Sequence, residues 1–537
     1  ALLDSWFAEC PYPRGLNWAA SLEPAVRLVN WSFAWHLLGA DDSIIFTGAE
    51  GRAFRARWLQ SVYEHCHFIA GHESRYSSAN NHLLGEAAGL LTGALTWPLW
   101  PQSGHWRDQA HAELSAEALK QTFSDGVNKE QALWYHHSVA DILLIAGLIA
   151  RTNGVDFAPV YWERLEAMLE LIASVMDCEG NVPAFGDADD GILVPLAPES
   201  RPPVHRSLLA TGAVLFHRPD FGHKAGSLDD KSRWLLGDDA DEQFAGLEAE
   251  RPLVRRPERQ PGNSRAARPS TPRAEPNAPL RAAFPEGGYF ILGEDFDSPR
   301  EVRIVADAGP LGYLSIAAHG HADALAFTLS VAGLPILIDP GTFSYYGAPS
   351  WRHYFRGTSA HSTVTIDGED QSSYRGSFLW LEHARASVEA HDLSGPMQSL
   401  TASHDGYTRL ADPVRHQRTW RYLMGKRRLI VIDELLCRGA HAAAIHWHFA
   451  PECRVTVEHD VVVAERGSVR LRLVGPQGLA RQIVSGQEHP PLGWYSPSFD
   501  TKVPSPTAVF TADVHGDTRL ATEIEIEIST PARPSGA

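Results

Sequence analysis

A chain of 537 residues is long enough for two to four domains with sizeable cores. Its formal net charge of -18 argues against bulk binding to nucleic acid or an anionic membrane, while leaving room for a local basic cleft. No run of about eighteen apolar residues predicts a membrane span, and Cys10, Cys66, Cys178, Cys437 and Cys453 are too scattered for a CxxC pair or a disulfide framework.

Residues 1 to about 235 read as helical, with apolar residues at helical spacing over 22–38, 51–71, 80–96, 110–123, 130–151 and 157–176. The loops between them are short, which predicts antiparallel helix pairs. No repeat of fixed length recurs, so a regular solenoid is not expected. Paired helices of this kind suggest an α/α toroid spanning residues 1–237.

Two polar clusters interrupt this helical half. In Asn80-Asn81-His82-Leu83-Leu84-Gly85-Glu86, Asn80 suits a helix N-cap. His82 and Glu86 share a face four residues apart, flanked by Leu83, Leu84 and Ala87. They are either a surface pair or half-buried groups that need partners or a ligand. In the second cluster, Asp125-Gly126 leads into a helix carrying Tyr135, His136 and His137. A helical tyrosine is usually core, and two adjoining histidines give this one a functional reading as well.

Residues 238–285 change character. Pro and Arg alternate densely, and proline at this density propagates neither a helix nor a central strand. The segment reads as a linker or long loop. From 286 to 537 the pattern is strand and turn without intervening helices, which predicts a large antiparallel β-sandwich.

The chemistry-bearing stretch of this second half runs from Ala318 to Asp367. It contains His319-Gly320-His321-Ala322-Asp323, then Asp339-Pro340-Gly341-Thr342, then His361-Ser362-Thr363. In a strand His319 and His321 would share a face, and imidazole with carboxylate suits a divalent metal. The same residues also read as polar strand starts and a turn-forming Asp339. Arg352 and Arg356 suit substrate carboxylates or sulfates through their forked donors. A solvated helix face or an internal ion pair is the other reading. His446, His448, Asp433 and Glu434 read as structural strand residues.

Together these pieces resemble the heparinase II/III family of polysaccharide lyases. The resemblance rests on Asn80-Asn81-His82 with Gly85-Glu86, Asp125-Gly126 with Glu130-Gln131, and Tyr135-His136. It continues through Pro183, Gly186-Asp187-Ala188-Asp189 and the three β-half motifs, in the family's order. It implies an α/α toroid joined to an antiparallel sandwich, with β-elimination at a uronic acid in the cleft between them. It places Asn81 and His82 at the substrate carboxylate, Tyr135 in proton transfer and His319 completing the site. It implies a divalent metal, zinc first with manganese and calcium as alternatives, on His321, Asp339 and His361 in a structural role. Glu86, His136, Arg352 and Arg356 are the expected substrate contacts.

The chemistry explains these residue types. Removing the C5 proton of a uronate needs hydrogen-bond donors on its carboxylate, a base, and an acid for the leaving oxygen. Tyr135 as a base would need positive charge nearby, from His82, His136 or His319. For the opposite C5 configuration His82 or His319 is the expected base. The expected partner is an anionic polysaccharide: a glycosaminoglycan such as heparan sulfate, hyaluronan or chondroitin sulfate, or alternatively alginate or a bacterial exopolysaccharide. No nucleic-acid or membrane partner is expected. The expected place is the periplasm or exterior, with the cytoplasm as the alternative; residues 1–4 do not read as a leader. Two rival classes are a toroid glycoside hydrolase using a pair among Glu86, Glu130, Asp187 and Asp189, and a non-catalytic carbohydrate-binding protein.

Overall fold

The computed structural model describes residues 2–196, 203–249 and 280–529. The helical half comprises α1 (Leu2–Glu9), α2 (Leu22–Leu37), α3 (Gly48–Gly71), α4 (Asn81–Thr96), α5 (Ser103–Lys120), α6 (Leu133–Thr152), α7 (Pro159–Val175) and α8 (Val204–Phe216). The short helices α9 (Pro219–Ala225), α10 (Asp230–Leu236) and α11 (Ala240–Ala249) follow. Neighbours pack on one another: α2 on α3 and α4, α4 on α5 and α6, α6 on α7 and α8. Helices α4 and α6 are buried along most of their length. Helix α6 is apolar enough to span a membrane by composition, yet 78% of its apolar window is buried inside the fold. Trp35, Trp58 and Trp97 interlock edge to face at the heart of this core, so much of the tryptophan content serves packing.

The second half contains three principal antiparallel sheets. A five-stranded meander runs Ala283–Phe284, Tyr289–Glu294, Val302–Asp307, Phe327–Val331 and Leu334–Leu337. An eight-stranded sheet carries Arg415–Leu423 and Arg428–Leu436 near its middle, with Thr518–Ile528 beside them. A four-stranded sheet includes Ala440–His448 and Val364–Ile366. Side chains of all three meet in one apolar core around Phe327, Trp420 and Trp447.

The strands Tyr289–Glu294 and Val302–Asp307 are buried on both faces. Side chains alternate across a strand, and here the two sides enter different cores. Phe290, Leu292 and Ile304 point into the sandwich. Tyr289, Ile291 and Val305 pack instead with Val127, Leu133, Leu171 and Val175 of the helical half. The two halves are thus fused along a shared sheet.

The expected boundaries shift at both ends of the 238–285 segment. Helix α11 lies beyond 237 and packs on α8 and α9. The first sheet begins at Ala283, where its backbone pairs with Phe290. Residues 250–279, the Pro/Arg-rich heart of that segment, lie outside the described residues. Among the described residues one α-helix, α12 (Pro349–Arg356), stands within the β half.

Candidate active site

The site forms where the start of α4, the start of α6, the loop after α7 and two loops of the β half converge. Asn80 caps α4, its side chain accepting the His82 N–H at 3.3 Å. Asn80 Nδ2 and Asn81 Nδ2 both donate to Glu130 Oε2, at 3.0 and 2.8 Å. Burial raises the Glu130 carboxyl above its usual range, against the pull of His319 and the two asparagines. Half-buried His82 follows them on α4. Desolvation, and next the charge of His319, lower its pKa.

Tyr135 lies on the first turn of α6. Its hydroxyl donates to Asp189 Oδ2 at 3.0 Å and lies 3.0 Å from the hydroxyl of Tyr345. Its ring stacks on His319, with centroids 3.8 Å apart and planes 19° apart. Trp134 Nε1 also donates to Asp189, at 3.1 Å to Oδ1.

Asp187 is the hub. Arg352 grips it at two points, Nη1 on Oδ1 and Nη2 on Oδ2, the latter at 2.8 Å. His319 Nδ1 lies 3.2 Å from Oδ2, and His321 Nε2 lies 2.9 Å from Oδ1. Burial alone would raise this carboxyl, but Arg352 and the two imidazoles hold it well below the usual range. An ionised Asp187 accepts, so each imidazole carries its hydrogen on the nitrogen that faces it. That leaves His319 Nε2 facing Glu130 Oε2 at 3.8 Å, and His321 Nδ1 buried without a partner.

Local backbone constraints fix this geometry. Gly320 sits so close to Leu311 that a Cβ would fall 1.5 Å from its carbonyl oxygen, so only glycine fits between the two histidines. Gly186 holds φ at +70° against the start of α6, where a Cβ would meet Gln131 and Ala132. Gln131, Ala317 and Phe343 also adopt positive φ; such strain costs on the order of 1–3 kcal/mol per residue and clusters at functional sites.

His321, Asp339 and His361 come together, each offering a ligand atom within 4.8 Å of the others. His361 Nδ1 lies 2.9 Å from Asp339 Oδ2, and its Nε2 is buried without a partner. Two orphaned buried imidazole nitrogens beside a carboxylate fit a divalent cation. Arg418 braces the loops carrying these residues, donating to the carbonyls of Leu325 and Ser362 at 2.8 and 2.7 Å.

Asn81, His82, Tyr135 and His319 share the site, but several other expectations change. His319 and His321 lie in the loop between two strands rather than on a strand face; their common target is Asp187. Glu86 is fully buried, with both oxygens taken by Ser74, at 2.6 Å from its N–H and 2.6 Å from its hydroxyl. His136 lies a helical step away from Tyr135, between the Asn128 N–H and the Met168 carbonyl. Burial lowers its pKa to about 4, so it gives Tyr135 no positive charge. Arg352 is committed to Asp187. Arg356 is fully buried, donates to the Ser377 and Gly376 carbonyls, and lies over Tyr374 and Trp380. The internal ion-pair reading fits Arg352, Arg356 is held by backbone carbonyls instead, and neither guanidinium is free for substrate. The tyrosine's ionisable neighbourhood is also the reverse of the one expected. Burial, then Asp189 and Asp187, push its phenol above 10. Tyr345 had no signal in the sequence beyond its place after the Asp339 motif.

A helical toroid abutting an antiparallel sandwich, with tyrosine, histidine and asparagine gathered at the seam, defines the class of this protein. Residues 2–193 match the heparinase II/III N-terminus, and residues 276–527 match the heparinase II/III-like C-terminal region. The chain belongs to the heparinase II/III family. It is 22% identical over 448 residues to a heparin-sulfate lyase of Pedobacter heparinus, covering 80% of this chain and 56% of that protein. The chain therefore spans little more than half the length of that curated relative. It superposes on the crystal structure of heparan sulfate lyase HepC from Pedobacter heparinus with a TM-score of 0.65 at 18% identity, over 99% of this chain and 72% of that one. A heparinase III crystal structure gives 0.71 at 15% identity, over 98% and 73%. These likenesses establish the shared fold.

Proposed function

We propose that the protein is a polysaccharide lyase that cleaves uronate-containing anionic polysaccharides, glycosaminoglycans foremost, by β-elimination. The observation that carries this reading is Tyr135, its ring stacked on His319 and its hydroxyl 3.0 Å from that of Tyr345, within the seam that also holds Asn81 and His82. Family membership and the heparin-sulfate lyase relative support the glycosaminoglycan class.

The surroundings divide the proton work. Tyr135 keeps its proton in this carboxylate-lined pocket, which fits it to protonate the leaving glycosidic oxygen. His82, neutral through burial, fits the base that takes the C5 proton. The C5–H electron pair forms the C4–C5 double bond, and the C4–O bond breaks as its oxygen takes the proton offered by Tyr135. Tyr345, hydrogen-bonded to Tyr135, is placed to pass a proton back to it. The second amide hydrogen of Asn81 fits the substrate carboxylate, where negative charge develops.

His321, Asp339 and His361 would hold a divalent cation, zinc in preference, whose bound charge would fix the loop that presents His319. The hydrolase reading lacks a free carboxylic pair: Glu86 is held by Ser74, Asp187 by Arg352, Glu130 by two asparagines and Asp189 by Trp134 and Tyr135. A polymeric anionic substrate would favour work in the periplasm or outside the cell over the cytoplasm.

The test is a panel of uronate polysaccharides followed by the ultraviolet absorbance of the unsaturated product. Absorbance that grows with the wild type and vanishes with Tyr135→Phe supports elimination. New reducing ends without absorbance would replace it with hydrolysis.

A further inference from the structure

A second group of side chains converges elsewhere in the sandwich. Asp412 precedes the strand Arg415–Leu423, Cys437 follows Arg428–Leu436, and His441 opens the strand Ala440–His448. One ligand atom from each lies within 4.8 Å of the other two. Cys437 and His441 are each only 8% exposed. We propose that Asp412, Cys437 and His441 form a second divalent-metal site, of the thiolate, imidazole and carboxylate kind that favours zinc.

The surroundings are those of a ligand set held in place. His441 Nδ1 lies 2.7 Å from Asp367 Oδ2, which turns Nε2 toward Asp412 Oδ2 at 3.0 Å. An outer carboxylate on the far nitrogen is the usual way a protein orients a metal-binding histidine. Asp367 is itself fixed, its Oδ1 accepting the Ala442 N–H at 2.9 Å. Asp412 Oδ2 also accepts the Gly439 N–H at 2.6 Å, and the Cys437 N–H donates to Asp517 Oδ1 at 3.1 Å. Three carboxylates therefore surround one thiol and one imidazole, an arrangement that attracts a cation. A sulfur donor selects zinc over calcium or magnesium. Asp412 is 32% exposed at its side chain, which leaves a water position as the fourth ligand. Binding displaces the thiol proton and the proton shared by His441 and Asp412. The bound ion would tie the eight-stranded sheet to the four-stranded one.

This place is distinct from the His321, Asp339 and His361 cluster. His446, whose N–H donates to the Thr363 carbonyl near His361, lies on the strand that His441 opens. Five residue steps along the strand separate them, about 17 Å. The first cluster contains no cysteine, which gives the two places different spectra.

The test is a cobalt titration of the full chain after dialysis against chelator. A thiolate-to-cobalt charge-transfer band in the ultraviolet is expected, lost in Cys437→Ser and in His441→Ala. Asp367→Asn should weaken binding about tenfold. Because these variants can misfold, the wild type supplies a second reading: zinc should slow alkylation of Cys437, located by mass spectrometry, about tenfold relative to the metal-free protein. A wild type without the charge-transfer band, a band that survives Cys437→Ser, or alkylation of Cys437 unchanged by zinc would each overturn the proposal.

Discussion

Asp187 and Arg352 join the two halves of the chain through a buried, two-point ion pair. The carboxylate comes from the loop after α7 and the guanidinium from α12, and both side chains are almost completely excluded from solvent. The same carboxylate orients both imidazoles, leaving His319 Nε2 facing Glu130 and His321 Nδ1 buried without a partner. Breaking a buried pair by removing one partner costs about 3–5 kcal/mol. Arg352→Met is therefore expected to lower the urea midpoint by that equivalent and to reduce kcat through the displacement of His319. Arg356→Ala should destabilise the fold and leave KM unchanged for the surviving folded fraction.

Tyr135→Phe should lower kcat by about 10²–10⁴-fold with little change in KM, the signature of a lost proton donor. Tyr345→Phe keeps the ring and removes the relay hydroxyl, so a smaller kcat loss is expected. Steady-state kinetics on the best polymer of the panel separates the two. A Tyr135→Phe enzyme with wild-type kcat would remove this residue from the chemistry.

The pH profile follows from His82. Burial beside His319 lowers its pKa below 6.5, so it stays neutral and able to accept a proton at neutral pH. The kcat/KM profile should fall on the acid side only below about pH 6.5. Tyr135, raised above 10, should impose no alkaline limb below that pH. An acid limb at or above pH 7 would contradict His82 as the base.

Acid stability depends on the buried imidazoles, of which His65 and His136 are two examples. His65 and His136 are buried and neutral, with pKa values lowered to about 3 and about 4 by desolvation. A depressed folded-state pKa gives a contribution fully present above the unfolded value of about 6.5 and lost as pH falls toward the folded one. Between pH 7 and pH 5 each should cost about 2 kcal/mol of stability. Urea midpoints at the two pH values check this, and His65→Gln should reduce the pH dependence if it folds.

Chelation is expected to lower the Tm of the wild type, with recovery on adding zinc, if the cation set of His321, Asp339 and His361 braces the loop around His319. Asp339→Asn should show the lower Tm without any response at that site. Activity assayed well below the shifted melt should survive in part, because the cation is assigned to the scaffold.

The helical half was legible because α4 and α6 carry uninterrupted apolar periodicity between loop signals, and the Asn81, His82 and Tyr135 cluster stood at their starts. The His321, Asp339 and His361 group was legible only through the family resemblance, since 40 residues and two strands separate its ends. Arg352 and Arg356 misled for a physical reason. Forked donors on a short helix suit a substrate anion, and what takes them up is non-local: Asp187, 165 residues from Arg352, and the Gly376 and Ser377 carbonyls beyond Arg356. Glu86 misled in the same way, because its partner Ser74 sits in an irregular segment without periodic signal. Tyr345 lies in a loop, where neither spacing nor amphipathicity marks a side chain, and only the folded chain brings its hydroxyl to Tyr135.

The strands Tyr289–Glu294 and Val302–Asp307, buried on both sides, bear on how such proteins diversify. Each alternate position answers to a different neighbour, so a substitution there must suit either the helices or the sandwich, and an exchange of the whole strand must suit both. Chimeras that join the helical half of one family member to the sandwich of another should fail unless these two strands travel with the helices they touch and are repacked toward the sheets.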